Sequence, residues 1–332
     1  MMYQGQEGDL SNLSSKTGVL LINLGTPDEA TPSKLRKYLS EFLMDPRVIE
    51  LPKLLRAILV KGIIVNFRSN KSAKKYQKIW TENGSPLLIN SSLLAQQTTK
   101  LLGDGYEVEL AMRYGNPSIK NKLLDLQKKG VRTLLVLPLY PQYSGSTNGS
   151  AFDEVSNVLR KQRWIPKLSF INSYYQRKDY ITAITNSIRQ HWDKNGRAQK
   201  LILSFHGLPQ KFISNGDPYQ QHCEYTAQQV SKQLELKDNE WLLVYQSRFG
   251  AEKWIQPYCS ETLKALPSQR VTSVDIICPG FSADCLETLE EIDRENRDYY
   301  IQAGGLSYSY IPCLNGSLDH AKLMAAIIQE NI

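Results

Sequence analysis

The sequence predicts an α/β protein of two Rossmann-like domains, each a four-stranded parallel sheet flanked by helices. Three observations lead to this prediction: eight short apolar, β-branched runs, helical patterns between nearly all of them, and a length of 332 residues. Strands that alternate with helices form βαβ units and parallel sheets. A chain of this length also exceeds what one hydrophobic core usually holds. The predicted strands are Gly18–Leu24, Glu107–Arg113, Thr133–Leu139, Leu168–Ser173, Leu201–Phe205, Trp241–Gln246, Val274–Cys278 and Ser307–Ile311.

Helical patterns separate these strands, and the chain divides where one pattern is interrupted. Trp164 and Pro166 break the pattern within Gln162–Lys167, so we predict one domain over residues 17–164 and a second over 165–314. The last helix, within residues 315–332, follows the final strand and is expected to pack on the first domain. The predicted helices are Pro32–Leu43, Ser91–Leu102, Ile119–Lys129, Asp179–Trp192, Tyr219–Leu236, Ser260–Leu266, Cys285–Arg294 and Ser317–Ile328.

Composition excludes several classes of function. Hydrophobic residues make up 41% and charged residues 22% of the chain, as in ordinary globular proteins. The net charge of +7 is diffuse, and no basic run is interleaved with aromatics, which argues against nucleic-acid binding. Five scattered cysteines without a Cys-x-x-Cys motif indicate free thiols in a reducing compartment. Because the segment Met1–Lys16 has no apolar signal core, we expect a cytoplasmic protein.

The stretch Leu54–Phe67 is apolar but too short to span a bilayer, and Arg68, Lys71, Lys74 and Lys75 follow it. Two interpretations stay open. The stretch is either a core helix with a solvated basic continuation or an exposed apolar lip. Such a lip, with its basic neighbours, would meet a membrane surface or a flat amphiphile that carries carboxylates.

Groups able to carry chemistry follow two of the strands. His206 comes directly after Leu201–Phe205, and Glu287 and Glu291 follow Val274–Cys278. In open α/β sheets ligands bind beyond the carboxyl ends of strands. An imidazole acts as base, acid or metal ligand near neutral pH, and carboxylates four residues apart share a helix face. This pattern indicates proton removal or the handling of a transition metal.

A purely structural alternative exists for each of these groups. His206 would then hydrogen-bond a loop carbonyl, and Glu287 would form a capping box with Asp284 at a helix N-terminus. The other histidines, His191, His222 and His320, lie in helical, polar surroundings and are expected to be solvated.

Two more strand ends carry polar and aromatic side chains. One offers Arg113 and Tyr114, and the other offers Tyr143 and Ser144 before a Gly- and Ser-rich approach to a helix, where an anion could bind. Neither phosphate-binding glycine pattern is present, so nucleotide binding has no support. Trp254 suits packing as well as stacking on a ligand.

Taken in order, these segments resemble the ferrochelatase family. The resemblance rests on residues 18–27, 84–86, 113–114, 140–144, 204–209, 216–219, 246–247, 279–289 and 315–316. It implies two Rossmann-like domains with a porphyrin cleft between them. It also implies an enzyme that inserts ferrous iron into protoporphyrin IX, releasing two protons, as the last step of haem synthesis.

The same resemblance assigns roles to individual residues. It implies that His206 and Glu287 are catalytic and that both, with Glu291, handle the metal, although which of the first two accepts the proton stays open. The implied substrate contacts are Leu24, Arg68, Arg113, Tyr114, Tyr143, Ser144 and Trp254. Leu24 favours protoporphyrin, since some relatives that use coproporphyrin have tyrosine there.

Iron is expected as a substrate, with no tightly bound cofactor. An iron–sulfur cluster is not expected, because Gly145 stands in the loop where some relatives supply a cluster cysteine. The expected partners are the porphyrin and ferrous iron, with a transient contact at the inner membrane surface left open, no nucleic acid, and a monomer or homodimer.

Three rival functions stay open. One is a related chelatase that loads cobalt or nickel into a tetrapyrrole, although such enzymes often carry more histidines at the site. Another is a non-catalytic porphyrin carrier, which needs apolar walls but no base. The third is an α/β binding protein of the periplasmic type, which the missing signal core disfavours.

Overall fold

The structure, a computed structural model, describes Tyr3, residues 15–250 and residues 252–332. All eight predicted strands are present, in two parallel four-stranded sheets. The first sheet has the order β2-β1-β3-β4 and the second the order β6-β5-β7-β8. The predicted fold class is therefore confirmed. The strands are β1 Thr17–Thr26, β2 Tyr106–Gly115, β3 Thr133–Pro138, β4 Lys167–Phe170, β5 Lys200–His206, β6 Trp241–Gln246, β7 Ser273–Ile277 and β8 Ser307–Ile311.

Helices connect these strands, and three segments are π-helical, with wider i→i+5 hydrogen bonding. The α-helices are α1 Pro32–Leu43, α2 Lys53–Ala57, α3 Val65–Ile79, α4 Pro86–Leu102, α5 Ile119–Lys128, α6 Ser150–Leu159, α7 Lys178–Asn195, α8 Gln210–Ser214, α9 Tyr219–Gln233, α10 Cys259–Ala265, α11 Arg297–Gln302 and α12 Leu318–Glu330. The π-helices are π1 Ile58–Ile64, π2 Gly145–Gly149 and π3 Glu287–Asn296.

The inner strands are apolar on both faces because each sheet is covered by helices on both sides. In β1, the run Val19–Ile22 is completely buried, and Val19 lies in register with Val108 of β2 and Leu135 of β3. Gly25, at the end of β1, has a φ of +117°, and a Cβ there would lie 1.8 Å from the Tyr114 carbonyl oxygen. Only glycine allows β1 and β2 to approach this closely.

The chain forms two compact units. The first runs to Leu139 and adds Gly145–Ser173 and Gly316–Ile332, and the second comprises Tyr140–Ser144 and Tyr174–Asn315. The division after Ser173 differs from the predicted boundary at 164/165, because β4 pairs with β3 and thus extends the first sheet. The final helix, α12, belongs to the first unit and packs against α4.

The apolar stretch after residue 53 forms a continuous helical segment from α2 through π1 into α3, which we call the lip (residues 53–79). Val60 and Val65 anchor it in a small cluster with Leu43. Tyr76 and Ile79 near its end are also buried, but most of its other large apolar side chains are exposed, Phe67 to 80% and Leu54 to 73%. The interpretation as a core helix is therefore wrong for these side chains. Within residues 15–250 and 252–332, no helix has the length and apolarity needed to cross a membrane.

Candidate functional site

The topology of the second sheet brings two distant strand ends together. The chain leaves β5 towards β6 on one side and later returns to β7 on the other. The carboxyl ends of β5 and β7 therefore flank the point where the strand order reverses, the usual ligand position in open α/β sheets. His206 is the last residue of β5, and the chain after β7 leads through Cys278–Leu286 into π3, which Glu287 opens.

The His206 ring is held so that one nitrogen stays open. Its Nδ1 lies 2.6 Å from the Gly207 carbonyl oxygen, which can only accept a hydrogen bond. Nδ1 therefore carries the proton, and Nε2 of the neutral ring keeps its lone pair. Burial lowers the pKa of His206 below its ordinary value, while the bond to Gly207 and the negative charge of Glu287 oppose this shift. The ring is thus kept neutral, close to a carboxylate.

Aromatic side chains surround this imidazole. The Trp254 and Phe281 rings have their centroids 6.5 and 6.4 Å from that of His206. A Cβ at Gly207 would lie 2.9 Å from the Gln246 carbonyl oxygen and 3.1 Å from the Trp254 ring, so glycine lets the chain pass close to the indole. Trp254 is only 4% exposed and acts here as a packing residue beside the histidine.

Gln246, the last residue of β6, ties the second sheet to π3. It lies in register with His206, and its Oε1 accepts a hydrogen bond from Ser204 Oγ at 2.8 Å and one from Cys278 Sγ at 3.4 Å. Its Nε2 donates to the Glu287 carbonyl oxygen at 2.9 Å. One buried amide therefore fixes the position of Glu287 relative to β5 and β7.

Ser247, the residue after Gln246, donates two hydrogen bonds to the Glu291 carboxylate. The Ser247 N–H donates to Oε1 at 2.7 Å and its Oγ donates to Oε2 at 2.5 Å. Ser247 has a φ of +67°, a conformation that costs energy for a residue other than glycine. Burial raises the pKa of Glu291 to about 7, although the two hydrogen bonds from Ser247 lower it. The charges of Glu287 and Glu295 add to the rise. This carboxyl group can therefore gain and lose a proton near neutral pH.

The helix that carries both carboxylates differs from the prediction. A helical pattern over Cys285–Arg294 was expected, and the structure has a ten-residue π-helix over Glu287–Asn296. Long π-helices are rare, and π-turns occur frequently at functional sites. The alternative capping box is wrong, because the Asp284 N–H donates to Asn315 Oδ1 instead of to Glu287. Glu287 and Glu291 are therefore not explained as helix caps.

Two predicted substrate residues belong instead to a buried network in the first unit. The Asp45 carboxylate accepts hydrogen bonds from Arg113 at 2.5 Å, Tyr114 at 2.8 Å, Ser150 at 2.6 Å and the Arg47 N–H at 2.8 Å. Burial raises the pKa of Asp45, but these donors and the charge of Arg113 outweigh it, so the pKa lies below its ordinary value. Tyr114 is fully buried, which corrects its expected role as a substrate contact.

The other predicted substrate residues occupy varied surroundings. The Tyr143 N–H donates to His222 Nδ1 at 3.2 Å, and Ser144 Oγ donates to Asp217 Oδ2 at 2.9 Å. Ser144 is buried, whereas Tyr143 is half-buried. Leu24, near the end of β1, is also half-buried, and Arg68 is exposed on the lip.

The remaining histidines are buried or half-buried and contact other side chains, contrary to the expectation that they are solvated. His320 is 1% exposed, and His191 Nε2 lies 3.0 Å from Ser309 Oγ. The His222 ring stacks on Tyr175 with a centroid distance of 3.7 Å. Each therefore has a structural environment that the surrounding helical sequence did not reveal.

The sequence interpretation missed Gln246, Ser247 and Asp284 as parts of the site. Gln246 ends an apolar strand and Ser247 follows it directly, so the rule that ligands bind at strand ends would have found both. All five cysteines are buried, free thiols. Among the described residues, no group of three or more His, Cys, Asp or Glu side chains is arranged to hold a metal ion. The absence of an iron–sulfur cluster stays a prediction.

Comparisons with known proteins found matches over nearly the whole chain. The ferrochelatase family model matches residues 16–332. The ferrochelatase of Methylococcus capsulatus is 51% identical over 95% of this chain and 97% of its own. That of Alcanivorax borkumensis is 48% identical over 100% and 98%, respectively.

Two solved structures share the fold at low sequence identity. SirB from Bacillus subtilis with Fe³⁺ has a TM-score of 0.58 and 12% identity over 95% of both chains. CbiX, described as the terminal enzyme of sirohaem biosynthesis in denitrifying bacteria, has a TM-score of 0.53 and 12% identity over 95% of this chain and 99% of its own.

Proposed function

This chain belongs to the ferrochelatase family and inserts iron into protoporphyrin, and we propose that His206, Glu287 and Glu291 carry out that reaction. The observation that supports this assignment is the open Nε2 of a neutral His206, held by the bond from its Nδ1 to Gly207. Its strand end also flanks the reversal point of the second sheet, beside the chain that leads to Glu287.

Metal insertion requires that two pyrrole N–H protons leave the porphyrin as the ferrous ion enters. A neutral imidazole Nε2 can accept such a proton, and the nearby negative charge of Glu287 stabilises the imidazolium that forms. Because the pKa of Glu291 is raised to about 7, its carboxyl group is suited to take up a proton and release it again near neutral pH. We assign proton acceptance to His206 and proton relay to Glu291.

Glu287 offers the ferrous ion an oxygen ligand, and His206 Nε2 offers it a nitrogen ligand only until that nitrogen takes up the pyrrole proton. Imidazole and carboxylate suit ferrous iron and several neighbouring metals. Among the described residues, no group of three or more His, Cys, Asp or Glu side chains is arranged around a metal ion, so this pair would hold the ion weakly. This arrangement suits a metal that is a substrate and must leave with the porphyrin.

Substrate contacts are proposed from the predicted residues that keep accessible surface. Leu24 and Tyr143 are half-buried and offer apolar and aromatic surface to a macrocycle. Arg68 is exposed on the lip and can pair with a propionate. Arg113, Ser144 and Trp254 are engaged in internal contacts, so no substrate contact is proposed for them.

An anaerobic assay tests this proposal directly. Porphyrin fluorescence is followed as ferrous iron is added to the wild type, to His206→Ala and to the control His191→Asn, which changes a histidine of the same unit. We expect His206→Ala to lose roughly 10²–10⁴-fold in kcat while it still binds porphyrin. His191→Asn should stay within about twofold. Wild-type metallation by His206→Ala would contradict the assignment. Porphyrin binding without metallation by the wild type would indicate a carrier.

The lip favours an additional partner, the surface of an anionic membrane. Between Glu50 and Glu82 the chain has eight Lys and Arg residues and no Asp or Glu, and apolar side chains such as Phe67 and Leu54 are exposed beside them. Apolar insertion together with basic residues is the chemistry of peripheral binding to anionic lipid.

Co-sedimentation with vesicles tests this contact. The wild type should bind phosphatidylglycerol vesicles more strongly than phosphatidylcholine vesicles, and Phe67→Ser should weaken that binding. Leu306→Ser is the matched control, because Leu306 is 79% exposed in the second unit, against 80% for Phe67. Equal losses for both variants, or no lipid binding by the wild type, would refute the assignment to the lip.

A further inference from the structure

The Asp284 carboxylate lies buried where the chain after β7 approaches π3, and four donors converge on it. Its Oδ1 accepts hydrogen bonds from Tyr310 Oη at 2.5 Å, Thr288 Oγ1 at 3.1 Å and the Cys313 N–H at 3.3 Å. Its Oδ2 accepts one from Asn315 Nδ2 at 2.6 Å. Such a carboxylate is occupied as an acceptor and is 5% exposed, so it is not placed to meet a substrate.

The contact between Asp284 and Asn315 is reciprocal. While Asn315 Nδ2 donates to the carboxylate, the Asp284 N–H donates to Asn315 Oδ1 at 2.8 Å, and the Asn315 N–H donates to the Ser282 carbonyl oxygen at 3.0 Å. Asn315 has a φ of +51°, a conformation that Asn and Asp tolerate better than most residues. The segment before π3 is therefore fastened to the chain that follows β8.

The contact between Asp284 and Asn315 lies next to the proposed catalytic carboxylates. Glu287 is three residues beyond Asp284, and Thr288 joins the two regions because its hydroxyl donates to Asp284 and accepts from the Cys285 N–H at 3.0 Å. On the other side, Gln246 holds the Glu287 carbonyl oxygen. The first turn of π3 is thus held between the end of β6 and the chain after β8.

We propose that Asp284 and Asn315 are a positioning pair that sets the start of π3 and thereby the place of the Glu287 carboxylate relative to His206. This inference rests on the proposed function of the site. Asp284 acts through Glu287 and does not touch the reacting atoms.

Exchanging the two side chains tests the pair. Asp284→Asn places an amide NH₂ against the NH₂ of Asn315, and Asn315→Asp places two carboxylates together, so each single variant should lose at least tenfold in kcat. The double variant Asp284→Asn/Asn315→Asp can preserve the hydrogen bonds named above, because the amide oxygen introduced at position 284 still accepts and the amide nitrogen donates to the carboxylate introduced at position 315. It should recover kcat to within about threefold of the wild type, with the KM for porphyrin unchanged throughout.

Several outcomes would overturn the inference while leaving the proposed function intact. One is a single variant that stays folded and keeps wild-type kcat. Another is a double variant that regains its thermal unfolding midpoint but not its kcat, which would indicate a purely structural role. If the wild type itself does not metallate the porphyrin, that result would instead refute the proposed function.

A milder variant keeps the test decisive if the single exchanges do not fold. Tyr310→Phe removes one donor from Asp284 and leaves the ring in place. We expect a kcat reduced about three- to tenfold at a temperature well below its unfolding midpoint. An unchanged kcat in this variant would overturn the inference.

Discussion

The two sheets have the same strand topology, but the charged side chains at their carboxyl ends differ in whether their hydrogen bonds are satisfied. In the first unit, Asp45 receives four hydrogen bonds, and its partners Arg113 and Tyr114 are buried or nearly so. In the second unit, His206 keeps Nε2 open, and Glu291 has a raised pKa despite two donors. A strand end that satisfies its charges stabilises the fold, whereas one that leaves a lone pair open can carry chemistry.

The largest expected effect is on stability and concerns the first sheet. Asp45→Ala leaves the Arg113 guanidinium without its carboxylate partner in a largely buried place, so the free energy of unfolding should fall by about 3–5 kcal/mol. Urea titration measures this change. Asp153→Ala, which breaks the half-exposed pair with Arg47, should cost no more than about 1 kcal/mol. Equal costs for the two variants would contradict the stabilising role assigned to the buried Asp45 network.

The next effect is on catalysis and concerns the second sheet. Glu287→Gln keeps the shape of the side chain but removes the charge beside His206, so kcat should fall roughly 10²-fold. The free energy of unfolding should change by no more than about 1 kcal/mol. Stopped-flow metallation and urea titration measure the two quantities. A variant that loses stability but keeps kcat would place Glu287 with the structural groups of the first sheet.

A smaller effect should appear in the pH dependence of stability. The pKa of Glu291 rises from 4.5 to about 7 on folding, so between these values the folded protein binds a proton that the unfolded chain releases. Its stabilising contribution is complete below pH 4.5 and is lost as pH rises through 7. Glu291→Gln should therefore gain about 1–3 kcal/mol relative to the wild type between pH 5 and pH 8. A constant difference across this range would contradict the raised pKa.

The smallest effect concerns the protonation of His206. Since its folded pKa lies below the ordinary value of 6.5, the ring is neutral above pH 6.5. The unfolded chain takes up a proton below that value, so this contribution to stability declines as pH falls from 6.5 towards the folded pKa. The rate of metallation should fall about tenfold per pH unit only below the folded pKa. In the Glu291→Gln variant, which removes the carboxyl group with a pKa of about 7, a decline that begins above pH 6.5 would conflict with burial of the imidazole.

His206 and Glu287 could be proposed from the sequence because both follow strongly apolar runs, and their roles stay a prediction. The sequence placed Trp254 and Tyr114 less well, since an aromatic residue in a loop gives no periodic signal that separates packing from ligand contact. Tyr114 is fully buried because its hydroxyl meets Asp45, a residue far away in the chain. The prediction that His320 is solvated was wrong for a similar reason, because α12 packs on α4.

The π-helical form of residues 287–296 could not have been predicted from periodicity. Apolar spacing does not separate α from π geometry over so short a segment. The wider turn is accompanied by side-chain contacts from outside the helix, such as Gln246 to Glu287 and Ser247 to Glu291. The sequence also could not show whether the lip is exposed, because the same apolar stripe is compatible with a buried core helix and with a partner surface.

The sequence by itself determined the eight strands and the parallel α/β class, and it provided the candidate residues for moving a proton or binding iron. These features depend on local patterning and on the chemistry of single side chains. Only the tertiary structure decided the strand order that brings the ends of β5 and β7 together, and which polar groups are satisfied. Those outcomes depend on hydrogen bonds between residues far apart in the chain. At Asp45 such bonds satisfy a buried carboxylate, whereas at His206 the Nε2 lone pair stays open.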